Sequence, residues 1–308
     1  MDTSGRPQNI ARGITLIVAA ALTISVQDAV FKLFSGQLTL WQIFALRGCL
    51  AIPMLLVVGR AAGKNATGVG TLRLALGRWP LLRSAFITTT FLCFYAAIPF
   101  LSLSTVGAAN YIAPIFVTLL SAYVISEPVG KRGWIGVFLG FTGVVVLLQP
   151  GSDAFSPWAL LPVIGAGFYA LAHITTRAKC QDVSMAALAL SQNTIMCLAG
   201  FLVSGLLLTL KPDGEVARAF PYIFGTWASV SLADVAVLTL LAAFAVVIGM
   251  LLAGAYQAAP PPTVATFEYS YLVFVALWDI LFFAVMPTLP SLTGMVLIVG
   301  AGLLVMRR

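Results

Sequence analysis

Seventeen basic side chains, ten acidic ones and a single histidine are all the ionisable charge that 308 residues carry. The few that fall inside long apolar runs are therefore the first candidates for chemistry, because an ionised group in hydrocarbon is costly and faces a cavity or a partner. Asp28 lies about seven residues before the end of the first run and Arg47 about nine residues into the second, so at 1.5 Å per residue both sit roughly 10–13 Å below one surface. The connection between the runs is short. An Asp28–Arg47 ion pair is one reading, and a bidentate grip of the Arg47 guanidinium on a substrate carboxylate is the other. Lys32 is shallower and reads as a snorkelling side chain. His173 is the only histidine and aligns with Asp28 when the first run is laid on the sixth. An imidazole titrates near neutral pH and would suit proton coupling; equally, it could contact backbone carbonyls or headgroups at its end of the run.

Glu268 is more informative. It lies about one and a half turns into the ninth run, and Asn110 holds the matching place in the fourth; each is followed by a tyrosine, Tyr111 and Tyr269. A carboxylate and a carboxamide at related positions could line a cavity with amphipathic tyrosine walls, binding a substrate ammonium or carrying a proton. The alternative is a hydrogen-bonded packing residue. Asp279 reads as hydrated, and Gln192 and Asn193 as interhelical glue. Tyr95 and Tyr271, with Phe91, Phe94 and Phe267, could form a pocket for a planar side chain, whereas Trp41, Trp79, Trp134 and Trp158 sit at run ends and fit an interfacial belt. Pro99 and Pro114 could kink their helices and free carbonyls. The candidate substrate-binding set is thus Arg47, Tyr95, Asn110, Tyr111, Glu268, Tyr269 and Tyr271, with Asp28 and His173 as coupling or ion-pair candidates.

The elements that must position these residues follow from composition. The chain is 60% hydrophobic and 9% charged, against about 45–50% and about 25% for soluble domains. That excludes a water-soluble globule, and disorder too. A ruler of about 20 apolar residues per crossing gives ten helical spans: 13–34, 39–59, 80–100, 105–125, 133–149, 156–177, 184–208, 232–256, 263–285 and 289–306. Two longer loops, 60–79 and 209–231, separate spans without forming domains, so residues 1–308 make one transmembrane domain. The first span resembles a signal peptide at its start, but Asp28 and Lys32 mark it as a retained helix. Thirteen of the 17 basic residues, Arg83 and Arg177 among them, fall to one side, and only Lys211 and Arg218 to the other. This positive-inside pattern places both termini in the cytoplasm. It also accounts for the net charge of +7 without nucleic acid, since the basic residues are scattered over short connections. The four cysteines lack ligand spacing and no catalytic motif is present, so no metal, cofactor or enzymatic activity is expected. Neither a selectivity-filter repeat nor another channel motif is visible.

Sliding 105–147 against 263–305 aligns Thr105-Val106 with Thr263-Val264, Tyr111 with Tyr269, Phe116-Val117 with Phe274-Val275, and Gly136 with Gly294. Two related halves, 13–149 and 156–306, each hold five spans; an odd number turns the second half over, giving an inverted repeat. The expected fold is an all-α membrane protein of ten transmembrane helices in two inverted five-helix repeats.

The stretch Ala113-Pro114-Ile115-Phe116-Val117-Thr118, followed by Ser126-Glu127-Pro128 and then Gly136, Gly140 and Gly143, resembles the fourth and fifth helices of the drug/metabolite transporter superfamily, and more narrowly the EamA-type exporters. The loop reads Ser-Glu where those have Gly-Glu. The second half departs further, with Val285-Met286-Pro287 in place of the acidic loop and Leu272 in place of Pro114. The resemblance implies a secondary transporter working by alternating access around a central cavity. It exports small metabolites, with amino acids, including aromatic ones as in exporters of the YddG kind, as the leading class. An importer or exchanger of a nucleotide-linked metabolite such as S-adenosylmethionine, or of a drug-like amine, is the alternative it leaves open; a channel or membrane enzyme is weaker. The expected partners are a small-molecule substrate, the bilayer and protons, and the expected state is a monomer in a cell inner membrane.

Overall fold

The computed structural model describes residues 8–34, 38–61, 68–101, 103–127, 129–151, 156–210, 214–283 and 288–306. Lys64, Pro128, Lys211 and Val285-Met286-Pro287, and the side chains of Lys32 and Asp279, lie outside what is described. The helices are α1 (Ile10–Phe34), α2 (Leu40–Ala61), α3 (Gly68–Ala75), α4 (Arg78–Ala97), α5 (Leu103–Asn110), α6 (Ala113–Tyr123), α7 (Lys131–Leu148), α8 (Leu160–Lys179), α9 (Met185–Leu210), α10 (Gly214–Ala219), α11 (Pro221–Phe224), α12 (Leu232–Ala258), α13 (Pro261–Glu268), α14 (Ser270–Phe283) and α15 (Leu289–Met306). Among the described residues ten stretches are long and apolar enough to cross a membrane, with α5–α6 and α13–α14 each making one span. The protein is an all-helical, multi-pass membrane protein. Its outward-facing surface agrees: Leu202, Leu208, Val296 and Leu303 are all more than half exposed, which hydrocarbon tolerates and water would not. Both connections read as plain loops contain helix, α3 in the first and α10 with α11 in the second.

The chain forms two compact units. One comprises residues 1–26, 89–181 and 251–308, the other 27–88 and 182–250. Each takes its helices from both halves of the sequence.

In the first unit α7 and α15 approach most closely at Gly143 and Gly294. A Cβ on Gly143 would meet the Gly294 carbonyl oxygen at 2.8 Å and Ile298 Cγ1 at 2.9 Å. Small residues are what let backbones approach where no hydrophobic drive separates helix from lipid. The second unit repeats the device on α2 and α9: Gly48 faces the Cβ of Cys197, and Gly200 faces the backbone of Trp41 and Ala45. Trp41 is 5% exposed and donates Nε1–H to the Ile223 carbonyl at 2.8 Å. It is therefore an internal anchor for α11 rather than part of a lipid-facing belt. Next to it, Gln42 Nε2 donates to the Ala228 carbonyl and its Oε1 accepts from the Ala228 amide. These bonds fasten α11 and the segment that follows it to the start of α2.

In the Ser-Glu loop after α6 the serine stands where glycine would be the unstrained choice. Ser126 has φ of 53°, the left-handed region in which glycine is unstrained and other residues are not. The turn aims Glu127 inward, where its Oε1 accepts from Arg177 Nε at 2.7 Å. Arg177, at the end of α8, also donates Nη1–H to the Gln257 carbonyl of α12, and Gln257 Nε2 donates to the Cys180 carbonyl. Glu127 and Arg177 are 4% and 6% exposed. Arg177, first counted as a topology charge, is thus a buried internal tie.

Three stability measurements test this account. Gly143→Ala is expected to cost about 1–3 kcal/mol in thermal unfolding, because the carbonyl it meets cannot move aside. Gly167→Ala on α8, with nothing within 4 Å of the added Cβ, should be neutral or gain up to about 1 kcal/mol of helix propensity. Ser126→Gly should raise the unfolding temperature by removing about 1–2 kcal/mol of backbone strain; a lowered temperature would show that the serine hydroxyl matters more than the backbone.

Candidate functional site

The fourth and ninth spans are both interrupted, and at related positions. The helix α5 stops at Asn110 and α6 starts at Ala113; α13 stops at Glu268 and α14 starts at Ser270. Pro114 causes the first break, since it has no N–H to give the Asn110 carbonyl four residues back. The amide of Ile115 turns to the Ile112 carbonyl, which leaves the Tyr111 carbonyl without its helical donor. The second break has no proline. Here the Leu272 amide bonds the Tyr269 carbonyl in place of that of Glu268, and the Ser270 hydroxyl occupies the Phe267 carbonyl at 2.7 Å, a local competition that serines bring to helices.

The two breaks touch. Tyr269 donates its hydroxyl to the Tyr111 carbonyl at 3.3 Å, across a separation of 158 residues, and the two rings lie 6.0 Å apart by their centroids. Tyr271 stacks on Tyr111 at 6.4 Å. Gly140 of α7 has its missing side chain directly against the Tyr269 ring, so the glycine makes the space in which this fully buried tyrosine crosses. Asn110 is half-buried, and its carboxamide forms no hydrogen bond among the described residues.

Glu268 ends α13 beside this junction. Its Oε1 accepts from Tyr256 of α12 at 2.7 Å and from Tyr169 of α8 at 2.9 Å. The other oxygen receives no hydrogen bond among the described residues, and the residue is only half-buried. His173, fully buried, stacks on Tyr256 at 3.9 Å and lies 4.2 Å from Tyr169. The structure thus joins two candidates that the sequence kept apart, Glu268 and His173, through two tyrosines that sequence reasoning missed. One signal was present: Tyr169 and His173 are four residues apart and share a helix face. Nothing in the sequence pointed to Tyr256.

Tyr95, on α4, stacks with Phe91 at 6.3 Å and meets Phe94 edge-on, as an aromatic cluster of the same unit. Asp28 and Arg47 belong to the second unit. Both are half-buried, and Arg47 lies over the Phe44 ring at 5.4 Å. That unit also buries Arg83 completely: Nη1 donates to Gln192 Oε1 at 3.0 Å and to the Leu188 carbonyl. Arg83 was read as a loop-side charge, but it is internal, and Gln192 is the interhelical partner expected of it. Asn193 instead bonds its own helix at the Ala189 carbonyl.

Comparison with known proteins adds the following. Residues 11–149 match the EamA-like transporter family. The chain is 25% identical over 166 residues to the pseudopaline exporter CntI of Pseudomonas aeruginosa, covering 54% of this chain and 56% of the relative. It therefore spans little more than half of that protein's length. It is 26% identical over 208 residues to a riboflavin transporter of Brucella anthropi, covering 66% of this chain and 67% of the relative. It is 20% identical over 293 residues to an S-adenosylmethionine uptake transporter of Rickettsia bellii, covering 95% and 92%. A solved crystal structure aligns over 97% of this chain and 100% of its own with a TM-score of 0.77 at 16% identity, which shows the fold.

Removing either hydroxyl from Glu268 tests the geometry directly. Tyr256→Phe and Tyr169→Phe should each lower unfolding stability by about 1.5–3 kcal/mol, the usual worth of a hydrogen bond to a carboxylate. Because both bonds end on one oxygen, each survivor strengthens when the other is removed, so the double variant should lose more than the sum of the two in a thermal-unfolding cycle.

Proposed function

We propose that this member of the drug/metabolite transporter superfamily exports small metabolites carrying an ammonium group, amino acids first among them, by alternating access. That it transports small molecules is supported by its family match and its relatives; the substrate, the outward direction and the site rest on the geometry. The observation that carries it is Glu268: a carboxylate at a helix interruption, steadied on one oxygen by Tyr169 and Tyr256 and open on the other. Interrupted helices at corresponding places in two halves are where transporters bind their substrates. The half-buried Asn110 carboxamide at the matching break and the rings of Tyr111, Tyr269 and Tyr271 complete a polar–aromatic wall. Tyr95 extends the aromatic surface of the same unit. In this reading His173 is a coupling candidate set beside Glu268 by its ring contacts with Tyr169 and Tyr256, and Asp28 and Arg47 form either an ion pair or a carboxylate grip. The chain works as a monomer in a bacterial-type inner membrane, with both termini cytoplasmic and two inverted repeats, 13–149 and 156–306.

A second reading, uptake or exchange of S-adenosylmethionine or a similar compound, is supported by the alignment with the Rickettsia bellii relative over 95% of this chain. It uses the same site, since that molecule carries the same ammonium-bearing head. An exchange screen of radiolabelled amino acids and S-adenosylmethionine in proteoliposomes separates the two readings, and saturation against ohmic conductance separates carrier from channel. In the same assay Glu268→Gln should reduce flux about 10- to 100-fold, the loss of one charge-assisted contact. Unchanged flux and unchanged pH dependence would remove Glu268 from the mechanism.

A further inference from the structure

We propose that α3, with Arg60 and Arg78 on either side of it, is a docking surface for anionic phospholipid headgroups and lies in the headgroup layer. The helix α3 has eight residues and two unlike faces. Thr71 and Ala75, four apart, are buried: Thr71 fills the space left by Gly59 of α2, and Ala75 packs with Ala187 and Leu190 of α9. On the opposite face Val69, Leu72 and Leu76 are 75%, 41% and 53% exposed. Their spacing of three and then four residues puts them in one row. A row of large apolar side chains turned away from its own protein, on a short helix joining two spans, is the pattern of a helix lying in the membrane interface.

The charges beside that row choose the lipid. Arg60 follows Gly59 at the end of α2, Arg73 stands next to Leu72, and Arg78 opens α4; all three are exposed, and none forms an ion pair among the described residues. Arg78 lies over the Trp79 ring at 4.6 Å, which orients its guanidinium and supplies an aromatic of interfacial type. Asp182 precedes Val183, which packs against the same cluster as Ala75, and the three arginines outnumber this acidic neighbour. A planar guanidinium matches two phosphate oxygens. Cations at this depth with leucines beneath them fit a lipid phosphodiester, whose acyl chains would cover Leu72 and Leu76, better than a free anion.

The test uses delipidated full-length protein titrated with phosphatidylglycerol, phosphatidylcholine and soluble glycerol phosphate, with retained ligand read by native mass spectrometry. Phosphatidylglycerol should be retained about tenfold or more over phosphatidylcholine, and less at high salt. Each of Arg60→Gln, Arg73→Gln and Arg78→Gln should weaken retention about fivefold, and the triple variant on the order of a hundredfold. The triple lysine variant should keep most of it. Equal retention by the triple glutamine variant and the wild type would overturn the proposal, as would equal retention of phosphatidylcholine. Displacement of phosphatidylglycerol by glycerol phosphate at matched concentration would assign the surface to free phosphate and overturn the lipid. Should the triple glutamine variant fail to fold, the exposed single variant Arg73→Gln decides the same question.

Discussion

An unpaired peptide carbonyl in hydrocarbon costs several kcal/mol, so a helix that breaks inside a membrane must find new partners for the groups it releases. Here the break after Asn110 releases the Tyr111 carbonyl, and the hydroxyl of Tyr269, itself at a break, takes it. Each interruption is thus held in place by the other. Around that bond the neighbouring choices follow: Gly140 must lack a side chain for the Tyr269 ring to pass, Tyr271 stacks on Tyr111, and Glu268 reaches Tyr169 and Tyr256 because α13 ends where it does. A continuous ninth helix would bury the Glu268 carbonyl in an ordinary helical bond and leave nothing distinctive at this depth.

The same economy governs the charged groups. Arg83, Arg177 and Glu127 are each buried within a single unit; the two arginines donate to carboxamide, carbonyl or carboxylate oxygens, and Glu127 accepts from the Arg177 guanidinium. Glu268 differs in exposure: Arg83, Glu127 and Arg177 are buried, whereas Glu268 is half-buried. A structural tie can be sealed away from everything but its partner, whereas a recognition group must stay within reach of a substrate. That contrast, more than its position alone, separates Glu268 from the arginines.

Ten spans and an all-helical fold were legible in the sequence because hydropathy over about 20 residues is a strong signal, and the last span, Leu289–Met306, agrees at both ends. Asn110 and Glu268 were legible as a pair through the repeat, and Pro114 announced the first interruption. The second was not legible, because a serine hydroxyl and a tightened turn produce it. Arg83 and Arg177 were misplaced because lysine and arginine counts near span ends report orientation whether or not a side chain turns inward. Tyr256 was silent since only tertiary packing brings α12 to α13. The left-handed Ser126 could be read only as a substitution in a resembled loop, its strain becoming visible as φ.

The division of the chain into segments also constrains the order in which the protein can be built. The second unit needs only residues 27–88 and 182–250, whereas the first needs residues 251–308 as well. During synthesis, with the amino-terminal part emerging first, Glu127 and Arg177 can meet once the sixth span is inserted. The Gln257 carbonyl that completes the tie, Tyr256, Glu268 and the tyrosine that closes the broken fourth span all arrive later. The nascent chain therefore holds an open helix end in the bilayer for the time needed to make roughly 150 further residues. Water, lipid headgroups or an insertion factor must cover that carbonyl in the interval, and a ribosome stalled before the ninth span would leave a chain whose exposed polar backbone marks it for disposal.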